Sequence, residues 1–465
     1  MKKFTKIISA LLCISCAAAV LGGCKTGGSV NDEEYVSIVV GNWPQETSPE
    51  TRAVYEGYVE KLQEKYPNII VKGEEYGYAP DTFLPKAAAN QLPNLYTTFY
   101  SETQNIIDSG YARDITDYME KYGYLDALSQ QSLDIVSKDG RCYGIPYLAY
   151  VMGMWYNVEI FKEAGLVDEK GVPIYPTTYD ELVQTAVTIK EKTGKAGFVM
   201  PTRDGIGGWF FLNIAWSFGT EFETKENGKW VAHLNSPECV QALQYVKDLK
   251  WKYDVLPENN LIGIEDIFTL IGTDQVAMSF GMDAHKDSPI QNYGMSKDNL
   301  SMGPVMEGPA GRYSQLGGAT WMISNVTTDE QIDAIFKWLE VAGYSPKVTE
   351  ESVKSIEDKL KASNEDGKSI ITPTVPFSIW ENAEILDVTN ELQAKYANVS
   401  ADLWPGIQAD GLIIKPEEPV NCQELYDLLD IAIQKVLIDE SADPQTILND
   451  LNDKFQKTYL DNANV

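Results

Sequence analysis

Apolar positions recur along this chain with two periods, and the periods alternate. Val36-Ser37-Ile38-Val39-Val40 is a short β-branched run that reads as a buried strand, and the loop Gly41-Asn42-Trp43-Pro44 follows at once. Tyr55, Val59, Leu62 and Tyr66 then fall on one face of a helix that Pro67 ends, and Ile69-Ile70-Val71 opens a second strand. Strand, helix and strand at this spacing predict a βαβ unit with parallel strands. A helix from Asp81 to Asn90 and a strand from Leu95 to Phe99 continue the pattern.

Later helices carry their own start signals. Thr178-Tyr179-Asp180-Glu181 fits a capping box, Ser236-Pro237 an N-cap with proline in the first turn, and Asp443-Pro444 the start of a terminal helix. Thr327 with Glu330 is expected to cap a helix that buries Ile332, Ile335, Phe336 and Leu339. Asn227-Gly228 marks a hairpin. The fold class is α/β, with a helix-rich final third.

The first residues follow neither period. Lys2, Lys3 and Lys6 precede an apolar run from Ile7 to Val20, too short for a comfortable membrane span, and small residues close it. Residues 1–23 read as a signal peptide. Leu21-Gly22-Gly23-Cys24 resembles the bacterial lipoprotein signal, which implies cleavage before Cys24 and a lipid on its thiol; a plain secretory signal with an incidental cysteine is the alternative. Residues 24–34 read as a flexible tether.

Composition narrows the classes. The 465 residues include 68 acidic and 38 basic side chains, a formal charge of −30, and losing the three signal lysines takes it to −33. A surface this acidic repels phosphate backbones and anionic lipid, which sets nucleic-acid binding aside. Outside residues 1–24 the cysteines are Cys142, Cys239 and Cys422, too few for a disulfide framework, although one pair could be bridged. Cys239 shares an apolar helical stripe with Ala242, Val246 and Leu249 and reads as a small buried hydrophobe.

Catalytic signatures are scarce. His233 and His285 are the only histidines, no nucleophile elbow surrounds Ser217 or Ser279, and Asp204-Gly205-Ile206-Gly207-Gly208 lacks the third glycine of a dinucleotide loop. No cofactor or metal is implied. Paired carboxylates for glycan hydrolysis cannot be singled out among 68 acids. Aromatic residues are more informative. Trp43, Tyr78, Phe99, Tyr100, Tyr150, Trp209, Trp216, Trp321, Trp380 and Trp404 lie mostly beside turn residues, where flat rings can stack on the apolar face of a sugar. Packing in the core is an equal reading for any one of them.

The run Asp139-Gly140-Arg141-Cys142-Tyr143-Gly144-Ile145-Pro146 is followed by Gly153-Met154-Trp155-Tyr156-Asn157, Phe161-Lys162-Glu163-Ala164-Gly165-Leu166 and Pro176-Thr177-Thr178-Tyr179-Asp180-Glu181-Leu182. These ordered blocks resemble extracellular solute-binding proteins of the sugar-binding, maltodextrin-binding-protein-like type, lipoprotein components of ABC importers. The resemblance implies two discontinuous α/β lobes joined by hinge strands, with ligand in the cleft between them and closure around it.

Residues 35–148 and 301–345 are then expected in lobe one, and 149–300 and 346–465 in lobe two. Crossings are expected near Pro146 to Tyr150, Ser301 to Val305 and Gly343 to Pro346. By position in these blocks the resemblance implies a ligand set of Trp43, Tyr78, Phe99, Tyr100, Tyr150, Asp204, Trp209, Asn213, Asp283, Gly318, Trp321, Trp380 and Trp404. Asp204 and Trp209 are placed in a loop before an Asn213–Phe218 helix, and Asp283 stands where relatives often carry tryptophan. The partners implied are a carbohydrate, ABC permease subunits and, through the lipid, the outer face of the cell membrane; the protein is expected to be a monomer. An exported glycan hydrolase and a non-sugar binder on the same fold are the competing readings.

Overall fold

The computed structural model describes residues 35–46, 49–373, 378–381, 384–407 and 409–463; the expected signal peptide, Cys24 and the expected tether lie outside them. The predicted βαβ unit is present. Strand Val36–Val40 pairs in parallel with Ile69–Gly73, and helix Pro49–Lys65 connects them. Ile38 and Val40 point into a core with Leu62, Leu95, Ile335 and Trp338, which is why the strand is β-branched on one face.

Two sheets organise everything else. The first has six strands. Leu412–Pro416, Arg312–Ile323, Leu95–Phe99, Val36–Val40 and Ile69–Gly73 lie in that order, and Gly144–Val151 also pairs with Arg312–Ile323. The 12-residue strand Arg312–Ile323 is the spine, pairing in parallel with Leu412–Pro416 and antiparallel with both Leu95–Phe99 and Gly144–Val151. The second sheet has four strands, Leu300–Gly303, Gly153–Asn157, Val276–Gly281 and Ala196–Val199. One of its faces packs on Phe161, Phe210, Trp216 and Leu429, and the other, through Trp155, on Phe268, Ile271 and Trp404.

The passages between lobes differ from the expected ones. Gly144–Val151 belongs to the first sheet and Gly153–Asn157 to the second, so the first passage is at Met152, whose carbonyl accepts Ser314 Oγ at 2.6 Å. Leu300–Gly303 pairs with Gly153–Asn157, which moves the return from residue 301 into the stretch between Gly303 and Arg312. Residues 346–465 are not one block of lobe two. Helix Glu350–Glu365 packs on lobe one, where Ser355 Oγ meets Tyr58 OH at 3.1 Å, and Leu412–Pro416 satisfies the edge of the first sheet. Between them, Ser369 N donates to Asp287 at 2.7 Å and Ile371 is buried in the core behind the second sheet, whereas Trp380 packs on Tyr124 of lobe one, so this segment touches both lobes.

Local chemistry explains most boundaries. Thr178, Ser236 and Asp443 cap their helices as expected, accepting the amides of Glu181, Cys239 and Thr446. The cap near residue 328 shifts by one: Thr328 and Gln331 form the capping box, not Thr327 and Glu330. The Asn227-Gly228 turn joins Glu223–Glu226 to Lys229–Ala232 in an antiparallel hairpin. Cys142, Cys239 and Cys422 are all buried and unpaired, so no two of them are bridged. No helix among the described residues is long and apolar enough to cross a membrane.

Candidate functional site

A cavity of about 280 Å³ lies where the two lobes meet. Lobe one contributes Phe99 at the end of its strand, Ser101 and Gly318, and Tyr150 comes from the strand that leads to the first passage. Lobe two contributes Asp204, Trp209, Met282 and His285, and Glu417, Gln423 and Tyr426 complete the wall. Gln423 Nε2 reaches across to Ser101 Oγ at 3.0 Å, so side chains of the two lobes touch at the cleft.

Trp209 stands at the start of a helix, not in a loop. Helix Ile206–Phe218 begins earlier than expected because it is apolar all round and wholly embedded, so no amphipathic period announces its first turn. Trp209 Nε1 donates to Glu417 Oε1 at 2.9 Å, and Tyr426 OH donates to the same oxygen at 2.9 Å. The Tyr150 ring meets Trp209 edge-on, with centroids 6.1 Å apart. One carboxyl thus fixes two rings and keeps its second oxygen outside that pair of bonds. Burial pushes the Glu417 carboxyl up to about 7, against the two donors that favour its charged form.

The same helix start is closed to anions. Asp430, on helix Cys422–Ile438, accepts the amides of Gly205 and Gly208 at 2.7 Å each. Open amides at a helix N-terminus make a natural phosphate or carboxylate site, and here a buried carboxylate already fills it. Among the described residues no lysine or arginine lines the cavity, and neighbouring Arg203 is engaged by Asp204 at 2.6 Å and Asp266 at 3.1 Å. Rings, hydroxyls, an amide and two carboxyls, Asp204 and Glu417, with no lysine or arginine among the described lining residues, suit a neutral polyhydroxylated solute.

Of the expected ligand set, Phe99, Tyr150, Asp204, Trp209 and Gly318 meet at this cavity. Trp43 and Trp321 line a separate chamber in lobe one. Tyr78 stands behind Phe99, with ring centroids 5.2 Å apart and its hydroxyl on Glu102 at 2.9 Å. Others pack inside. Tyr100 lies against Gly318, where an added Cβ would come 2.5 Å from its ring. Asn213 is 0% exposed and accepts Gln315 N at 2.9 Å, because its helix turns that face into the core. Trp380 packs on Tyr124 and Tyr344, and Trp404 fills the core behind the second sheet. Asp283 shares with Trp404 only a void of about 20 Å³, too small for a solute. Glu417, Gln423 and Tyr426 were not legible as site residues, since Trp209 and Glu417 are 208 positions apart and acids are everywhere in the chain.

Three buried carboxyls make stability depend on pH. Burial raises Asp430 to about 6, Glu417 to about 7 and Glu223 to about 8. Glu223 is 6% exposed, accepts Val420 N at 2.8 Å and has no partner for Oε2 among the described residues. A raised folded-state value means the folded chain holds its proton more tightly than the unfolded one. The stabilisation is complete below the ordinary carboxylate range and is lost as pH rises through about 6 to about 8. The melting temperature should therefore fall across that window. Glu223→Gln should flatten the slope and recover about 2 kcal/mol at its alkaline end. A slope unchanged in the variant would contradict this account.

The chain matches the model of the bacterial extracellular solute-binding protein family over residues 46–344. It belongs to that family. An arabinooligosaccharide-binding protein of Halalkalibacterium halodurans is 27% identical over 237 residues, 49% of this chain and 49% of that protein, so the alignment spans about half the relative's length. Maltose-bound MalE3 of T. maritima superposes with a TM-score of 0.67 at 18% identity, covering 90% of this chain and 99% of that one. UgpB of Mycobacterium tuberculosis, solved with glycerophosphocholine, superposes at 0.64 with 15% identity, covering 91% and 97%. These proteins bind substrates and are not enzymes, and the two-lobed fold carries both a sugar and a phosphodiester ligand. Chemistry in the cleft has to choose between them.

Proposed function

We propose that this chain captures a neutral saccharide in the interlobe cleft and passes it to the permease of an ABC importer at the outer face of the cell membrane. The observation that carries the reading is the pairing of the Trp209 and Tyr426 rings on Glu417 beside a helix N-terminus whose amides Asp430 has taken. Hydroxyls can donate to the carboxyl and accept from neighbouring donors, whereas a phosphate or carboxylate would meet negative charge and no compensating cation. Family membership and the relative that binds arabinooligosaccharides support the same choice.

Lobes closed around a bound ring would exclude water from these contacts, with the Gln423–Ser101 hydrogen bond latching the two lobes at the cleft, as in hinge-type binding proteins. Attachment follows from Cys24, whose lipid would hold the domain at the membrane through the tether. Binding is tested by calorimetric titration with neutral oligosaccharides, hexuronates and sn-glycerol 3-phosphate. Saturable binding is expected for at least one neutral saccharide and for neither anion. Tighter binding of either anion would replace this reading with the phosphate or acid one. Cys24→Ser should move the protein from the membrane fraction to the medium, and retention would remove the lipid from the account.

A further inference from the structure

Trp209 has a counterpart two turns along its helix. Trp216 lies seven positions later on Ile206–Phe218, and the helical period of about 3.6 residues returns it to the same face. Each indole donates to one of two adjacent glutamates: Trp209 Nε1 to Glu417 Oε1 at 2.9 Å, and Trp216 Nε1 to Glu418 Oε1 at 2.8 Å. The loop that leads from strand Leu412–Pro416 into helix Cys422–Ile438 is therefore fastened to one helix at two points about 10 Å apart along it. Of this loop, Glu417 reaches the cavity wall. Trp216, 1% exposed, and Glu418, 5% exposed, stand behind it.

The second point lies in the core and is fully partnered. Lys415 Nζ reaches the same Glu418 oxygen at 3.2 Å and stands 4.5 Å from the centre of the Trp216 ring, so the buried ion pair is completed by an indole donor and a ring face. Pro416 and Pro419 fix φ on either side of the two glutamates, and beyond them Val420 N donates to the buried Glu223 at 2.8 Å. We propose that Trp216 and Glu418 are positioning residues for saccharide capture: they touch no ligand, and by fixing the 417–420 loop to helix Ile206–Phe218 they hold the Glu417 carboxyl at the cleft. This rests on the neutral-saccharide reading and adds what keeps the polar wall of that site in place. It also gives Trp216 a role without ligand contact, although its setting in the sequence resembles that of the cleft rings.

Glu418→Gln keeps an oxygen for the Trp216 indole, Glu418→Ala removes it, and Trp216→Phe deletes Nε1 while leaving a ring in the core. Arabinotriose, xylotriose and maltotriose are titrated calorimetrically into the wild-type chain and each variant. The Trp209 indole N–H resonance, assigned from its loss in Trp209→Phe, is followed in the same chains without ligand. Glu418→Ala should weaken the trisaccharide that binds by about tenfold, Trp216→Phe by about fivefold and Glu418→Gln by less than about twofold. The Trp209 resonance should move in the first two and stay in place in the third. In a Glu417→Ala background, Glu418→Ala should change affinity by less than about twofold, because the group it positions is already gone. Affinity unchanged in Glu418→Ala and Trp216→Phe, whatever happens to the melting temperature, overturns the proposal, and so does an equal loss in both backgrounds. Should Glu418→Ala fail to fold, Trp216→Phe carries the same comparison. If no trisaccharide binds the wild type, that result speaks against the neutral-saccharide reading, and the resonance, which needs no ligand, alone decides the positioning.

Discussion

Trp209→Ala is expected to weaken saccharide binding by about a hundredfold, or about 3 kcal/mol, with the fold retained. The ring is 9% exposed and presents its remaining surface to the cleft, pinned by Glu417 on one edge and by Tyr150 on the other. Removing it takes away a rigid apolar platform that costs little entropy to use. It also leaves the Glu417 carboxyl with Tyr426 as its remaining side-chain donor. Trp209→Phe separates the two losses, since it keeps a flat ring and deletes only Nε1; an intermediate affinity is expected. Titration by calorimetry reads both variants, with circular dichroism to confirm folding. If the alanine variant binds within a factor of about two of wild type, the stacking role is wrong.

Gly208→Val should cost about 3 to 5 kcal/mol of stability and abolish binding together with it. A Cβ at residue 208 would collide with the Tyr426 carbonyl oxygen, and would lie 2.6 Å from its Cα and 2.8 Å from its carbonyl carbon. Backbone cannot rotate aside as a side chain can. The helices Ile206–Phe218 and Cys422–Ile438 would have to separate, and with them Trp209 from Glu417 and the Gly208 amide from Asp430. Gly208→Ala is the sharper test because two effects oppose. Helix propensity favours alanine by about 1 kcal/mol, whereas the close approach disfavours any Cβ. A lower urea midpoint for the alanine variant shows that the approach wins; a higher one would mean the helices have room to give.

Much of the fold was legible because its signals are local. The β-branched run at residue 36, the proline after Tyr66 and the caps at Thr178, Ser236 and Asp443 each act within a few residues. The errors have physical sources too. Thr327 and Thr328 are adjacent, and the choice between them depends on which glutamine or glutamate can reach back to the cap. Gly207-Gly208 looks like loop in sequence, but the glycines serve a helix–helix contact with a partner more than 200 residues away. The aromatic half of the cleft could be anticipated from rings beside strand ends, as Phe99 and Tyr150 show. Its polar half could not. Nothing near Glu417 in sequence distinguishes it from the other acids until Trp209 and Tyr426 are brought to it by folding.

The spine strand also sets the order in which this molecule can assemble. Leu95–Phe99 and Gly144–Val151 meet only through Arg312–Ile323, which stands between them, and the outer edge of that strand waits for Leu412–Pro416. A nascent chain emerging from its amino end holds its early strands without their central partner until about two thirds of its residues have been made. Such distant pairings are slow to form, because the closure entropy is spent before any contact rewards it. For a protein read as crossing the membrane by way of a signal peptide, the delay is an advantage: a chain that cannot complete its first sheet early remains threadable.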